Sequence, residues 1–145
     1  MSPSLATTTC SVKLDGMEPL IFTRIINGEI PCHKVYEDDR TFAFLDIKPV
    51  QPGMTLVITK NQVEDFTELS PEDLEAWTNT IQKVARRMKE VFPNKKRIGV
   101  QVEGFDVPHV HAKVFPIDNG AEFHTRPNTS INDADLAEMA QKLRF

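Results

Sequence analysis

Val107-Pro108-His109-Val110-His111-Ala112-Lys113-Val114-Phe115-Pro116 alternates two imidazoles and an ammonium with small apolar residues. A strand sends successive side chains to opposite faces. Read as a strand, the stretch puts His109, His111 and Lys113 on one face and Val110, Ala112 and Val114 on the other. Pro108 and Pro116 bracket the run, and proline suits strand ends better than ladder interiors. Two imidazoles and an ammonium in a row are poor core material and suit the floor of a site for something anionic. A lone His-x-His on a strand is more often a solvated edge or a structural pair, so the rest of the chain has to decide.

Upstream, Arg97–Glu103 alternates with Ile98, Val100 and Val102 on one face, and Gly104-Phe105-Asp106 turns the chain into the histidine strand. The two strands are expected to pair antiparallel. Before them stands one long helix. Ser70 is its N-cap, Pro71 suits the first helical position and Asp73 completes a capping box. Leu74, Trp77, Ile81, Val84, Ala85, Met88 and Val91 recur at threes and fours and predict one core-facing stripe. Lys83, Arg86, Arg87 and Lys89 read as its solvated flank.

Further back, His33–Glu37 and Thr41–Ile47 form a hairpin about Asp38-Asp39-Arg40, and Met54–Thr59 is a third strand after a Pro49, Pro52, Gly53 turn. In the second strand Phe42, Phe44 and Asp46 share a face, an unusual place for a carboxylate. Residues 20–27 predict a short buried helix that Gly28 ends in the left-handed conformation. After Pro116 a polar loop leads to a C-terminal amphipathic helix over about 132–144, with Leu136, Met139, Ala140 and Leu143 inward and Asn132 or Asp133 as cap. Residues 1–16 read as a loosely ordered tail and 17–145 as a single domain. Mostly consecutive strands joined by turns predict an α+β fold, a five-stranded antiparallel sheet with the helices packed on it.

Composition excludes several classes. The 145 residues carry a net charge of −4, which argues against direct nucleic-acid binding. Two cysteines, Cys10 and Cys32, make neither a disulfide framework nor a zinc motif, and suggest free thiols in a cytoplasmic protein. No apolar run is long enough to span a membrane, and no signal peptide is evident.

These residues together resemble the histidine triad (HIT) nucleotide hydrolases and transferases. The match runs from about Leu20 to Pro116: Ile21-Phe22 with Ile25-Ile26-Asn27-Gly28-Glu29-Ile30-Pro31, then Val35-Tyr36-Glu37-Asp38-Asp39, Ala43-Phe44-Leu45-Asp46-Ile47 with Pro49, Pro52-Gly53 before Leu56-Val57-Ile58, and the closing His109-Val110-His111. The resemblance implies an apolar cleft for a purine base walled by Phe22, Ile25, Ile30, Phe44 and Ile47, with Asp46 accepting from the ribose hydroxyls. It implies that His111 attacks the α-phosphorus and forms a nucleotidyl-histidine, with His109 and Lys113 supporting the phosphates. Purine nucleotides or dinucleoside polyphosphates are the implied ligands, a homodimer the implied assembly, and no cofactor is implied.

The departures from the family are equally specific. Lys113 stands at the third triad position, where transferase branches carry glutamine; it can stabilise negative charge on phosphate. Met54 and Gln62 stand where many relatives carry histidine, and Leu20 and Thr23 replace the cysteines of zinc-binding members, so no structural zinc is expected. Phe105 falls where a phosphate-binding glutamine often sits. Two other readings compete: a nucleotide-binding regulatory protein that has lost turnover, and a metal site on His109 and His111 with His33 or His124.

Overall fold

The centre of the domain is two strands buried on both faces. In the computed structural model, which describes residues 18–145, β2 (Thr41–Leu45) and β3 (Thr55–Thr59) are buried at every position. Such strands read as near-continuous apolar and β-branched runs because both faces are covered. With β1 (Lys34–Glu37), β4 (Arg97–Val102) and β5 (His111–Ile117) they form one sheet in the order β1-β2-β3-β5-β4. Every neighbouring pair is antiparallel. The long helix α2 (Pro71–Val91) connects β3 to β4, and β5 inserts between those two strands.

Strand alternation divides the core. Val35, Ala43, Leu45, Val57, Ala112 and Val114 pack with Trp77, Val84 and Met88 of α2 and with Leu136, Ala140 and Leu143 of α3 (Asp133–Leu143). Phe42, Phe44, Leu56 and Ile58 point to the other face, beneath Phe22, Ile25 and Ile26 of the short helix α1 (Ile21–Ile26). Burying a side chain of this size is worth about 1.5–3 kcal/mol, so six residues of helix are held by packing and not by propensity. Gly28, at φ +81°, ends α1 as expected, and the amides of Gly28 and Glu29 donate to the carbonyls of Ile25 and Arg24.

The structure departs from the sequence reading in four places. β5 begins at His111, four residues later than expected. Pro108 has no amide to give a ladder, the His109 amide turns back to the Val107 carbonyl at 2.8 Å, and the Val110 amide crosses to the Val63 carbonyl at 2.7 Å. Pro116 lies inside β5, beyond Val114 where pairing with β3 stops, so only β4 flanks it. Ser70 caps α2 by accepting from the Asp73 amide, but the buried Asp73 carboxylate does not reach back to complete a box. It accepts instead from Arg40 Nη1 at 2.8 Å and Asn61 Nδ2 at 2.7 Å. Leu74, expected inward, is 41% exposed. The tail expected over residues 1–16 and Cys10 lie outside the described residues, and Cys32 is a free thiol.

Candidate active site

Register places the site. Ile58 faces Phe42 on one side and His111 on the other; Leu56 faces Phe44 and Lys113; Lys113 in turn faces Gln101 of β4. Cross-strand partners share a face. Two rungs, Phe42–Ile58–His111 and Phe44–Leu56–Lys113–Gln101, therefore run from an apolar floor to polar groups on the α1 side of the sheet. The expectation that His111 and Lys113 share a face holds. His109 is not in their pleated row, yet its ring lies on the same side: the Phe22 ring meets that of His109 at 5.6 Å and that of His111 at 5.1 Å, edge-on in both cases.

The two histidines are held in different ways. His111 Nδ1 lies 2.8 Å from the His109 carbonyl and donates its proton there. In the neutral ring this leaves the lone pair on Nε2, which makes no hydrogen bond among the described residues. His109 has no exposed surface; its Nε2 donates to the Thr59 carbonyl at 2.7 Å, and its buried Nδ1 has no partner among the described residues. Burial, reinforced by the neighbouring His111, lowers the His109 pKa to about 4 against the favourable bond to Thr59. His109 is thus a neutral imidazole fixed as the Nε2–H tautomer.

Lys113 is neither solvated nor free. Its Nζ lies 3.4 Å from Glu103 Oε1, and its side chain is 20% exposed. Glu103 is a partner that reading the histidine strand alone misses, although β4 alternation puts Gln101 and Glu103 on one side of that strand. Beside His111 opens a cleft whose wall includes Glu64, Asp65, Phe66, Glu103 and Phe105. Three carboxylates on this wall, with no lysine or arginine among its lining residues, were not expected of a phosphate site.

Of the expected base-cleft residues, Phe22, Ile25 and Phe44 are buried together and Ile30 packs against them, while Ile47 is 62% exposed at the end of β2. Asp46 is half-buried just past β2. Its Oδ1 accepts from the Lys48 amide at 2.8 Å, and Oδ2 has no partner among the described residues. Asp46 also borders a groove beneath α3 that includes Leu45, Met54, Leu136 and Met139. His33 and His124 join neither histidine: His33 Nε2 pairs with Asp133 at 2.8 Å, and His124 ends a 3-10 turn over Gly120–His124. Among the described residues no group of three or more His, Cys, Asp or Glu side chains is placed to hold a metal ion.

A family model described as the HIT domain matches residues 27–120. The chain belongs to the HIT family. It is 33% identical over 127 residues to a HIT-like protein of Methanocaldococcus jannaschii, covering 86% of this chain and 98% of that one. It is 36% identical over 103 residues to the adenosine 5'-monophosphoramidase of Schizosaccharomyces pombe, covering 68% and 74%. The crystal structure of a HIT-like protein involved in cell-cycle regulation from Bartonella henselae superposes with a TM-score of 0.74 at 32% identity, over 86% of this chain and 94% of that one. As a HIT protein the chain stands among nucleotide-binding proteins with the α+β fold described above. No helix among the described residues is long and apolar enough to cross a membrane.

Proposed function

We propose that this HIT protein is a nucleotide hydrolase or nucleotidyl transferase in which His111 Nε2 attacks the α-phosphorus of a purine nucleotide derivative. The observation that carries the reading is the pair of hydrogen-bond states at His111, a residue that lines a cleft: Nδ1–H tied to a backbone carbonyl, Nε2 without a partner among the described residues. The Nε2–phosphorus bond forms as the bond to the leaving group breaks. Water or another acceptor then attacks the nucleotidyl-histidine and frees the ring. Phe22, Ile25, Ile30, Phe44 and Ile47 wall the base, and Asp46 receives a ribose hydroxyl on its unpartnered Oδ2. His109 acts from below by holding the carbonyl that orients His111. Lys113 stabilises charge on the phosphate once the phosphate displaces Glu103.

The carboxylate wall bears on the leaving group. Glu64, Asp65 and Glu103 repel a polyphosphate and tolerate an amine, which favours a phosphoramidate over a dinucleoside polyphosphate. A binding protein without turnover is the competing reading, and the Glu103–Lys113 pair is the feature on its side. Quenching the protein with a labelled nucleoside phosphoramidate, an adenylated lysine and a dinucleoside polyphosphate decides. The expected result is a labelled adduct on His111, fastest from the P–N substrates and slower in Lys113→Ala than in Lys113→Arg. Tight nucleotide binding with no adduct from any of them establishes the competing reading.

Asp46→Ala is expected to weaken ribonucleotides more than their 2'-deoxy and 3'-deoxy counterparts. The difference is about 1.5–3 kcal/mol, the worth of a hydrogen bond to a charged group. Titration calorimetry with both sugars checks this, and equal losses refute the ribose role.

We also propose a symmetric homodimer across β4. β4 is a sheet edge, and Val100 and Val102, on its helix-facing side, are 43% and 41% exposed. Leu74 and Phe66 nearby in the chain's α2 entry are 41% and 47% exposed. An unprotected apolar edge invites pairing with a second copy. Light scattering is expected to give twice the chain mass at micromolar concentration, and Val100→Lys to return it to the monomer mass; a wild-type monomer overturns the proposal.

A further inference from the structure

The side chain of Gln62 lies just after β3 and is 95% removed from solvent, at 5% exposure. Its Oε1 accepts twice: from the Leu20 amide at 2.9 Å and from the Thr23 hydroxyl at 2.6 Å. Its Nε2 donates to the Glu18 carbonyl at 2.8 Å. Leu20 is the N-cap of α1 and offers no side-chain cap of its own, while Thr23 is the third residue of the helix and fully buried. In a capping box the third helical residue reaches back to the N-cap amide. Here that amide is satisfied by residue 62, 42 positions away in sequence, and the third residue's hydroxyl is tied to the same oxygen.

The same short segment holds the approach to β5. The Thr59 carbonyl accepts from the His109 ring and the Val63 carbonyl from the Val110 amide. Residues 59–63 therefore anchor both the histidine segment and, through Gln62, the helix that carries Phe22 onto both histidine rings. We propose that Gln62 is a positioning residue that sets α1, and with it Phe22 and Ile25, against His111. It acts through Thr23 and the Leu20 amide and touches no substrate. The part of this inference that concerns rate rests on His111 as nucleophile; the part that concerns position does not.

The full-length chain with 15N-labelled imidazoles is compared with Gln62→Ala, Gln62→Glu, Thr23→Val and Thr23→Ser, each well below its own Tm. The readouts are the His111 ring resonances, the affinity for adenosine 5'-monophosphate and the rate of adduct formation at saturating phosphoramidate. Gln62→Ala is expected to move the His111 resonances, which feel the Phe22 ring current, and to weaken the monophosphate about tenfold, the scale of one to two net hydrogen bonds. Thr23→Val moves both in the same direction by less, Thr23→Ser restores them, and Gln62→Glu, which keeps the acceptor, falls between wild type and Gln62→Ala. The Gln62→Ala/Thr23→Val double variant is no worse than Gln62→Ala alone, because the bond that Thr23→Val removes is one of the three already lost in Gln62→Ala. Unchanged His111 resonances and affinity in folded Gln62→Ala overturn the inference, as does Thr23→Ser behaving like Thr23→Val. Should Gln62→Ala not fold, the Thr23 pair decides. Absence of any adduct in the wild-type chain refutes the catalytic reading alone, since the resonances and affinity still test the position of α1.

Discussion

Replacing His111 by Asn is expected to lower turnover by about 10³-fold or more, the scale at which an enzyme loses its nucleophile. The affinity for a nucleoside monophosphate stays near wild type. Asn retains a side-chain amide that can donate toward the His109 carbonyl, so the strand entry is preserved while the Nε2 lone pair is lost. Of the residues proposed to hold base and ribose, Phe22 meets the His111 ring edge-on at 5.1 Å, and Asn is expected to leave the buried Phe22, Ile25 and Phe44 cluster in place. Steady-state kinetics with calorimetry on the same preparation checks both halves. Substantial activity in His111→Asn removes the nucleophile assignment, whereas lost activity together with lost affinity shows that His111 serves binding more than bond formation.

The second large effect is on stability in acid and comes from His109. Its folded pKa is about 4, pushed below the ordinary histidine value of 6.5 chiefly by burial. A depressed histidine keeps the folded state favoured while it is neutral. That contribution is fully present above the unfolded pKa, near 6.5, and is lost as pH falls toward 4, because the unfolded chain takes up the proton first. At about 1.4 kcal/mol per unit the loss across that window is about 3 kcal/mol. A proton on Nδ1 has no acceptor waiting, which gives the shift a geometric origin. Urea unfolding at pH 7 and pH 4.5 is expected to show a marked loss for wild type. His109→Gln, less stable at pH 7 through lost packing, is expected to show a clearly smaller pH dependence over the same interval. Equal pH dependence in the two proteins refutes the assignment.

The residues that failed a purely sequential reading failed for identifiable reasons. Leu74 sits on the apolar period of α2 yet is exposed: it lies in the helix's first turn, and the buried apolar stripe begins with Trp77. Asp73 has the spacing of a capping-box residue, but Arg40 and Asn61 approach it from elsewhere in the fold and take its carboxylate. His109 continues the alternation of His111 and Lys113 on paper. Pro108 breaks the ladder, and the His109 ring turns to a carbonyl 50 residues away. Lys113 keeps the face that alternation gives it, and what alternation does not supply is its Glu103 partner, which comes from just past the neighbouring strand.

The amino-acid sequence by itself determined the element order, the antiparallel pairing and the HIT membership. These rest on local periodicity, cap chemistry and motif order. It also put His111 and Lys113 on one face, because the two-residue period of a strand is a property of the backbone. Only the tertiary structure decided which tautomer His111 takes, that His109 is sealed and neutral, that Lys113 is paired, and that α1 is capped by Gln62. Each of these depends on a hydrogen-bond or ion-pair partner supplied by another segment or by the local course of the backbone. Alternation states the side to which a residue points, and the folded chain alone supplies the group it meets there.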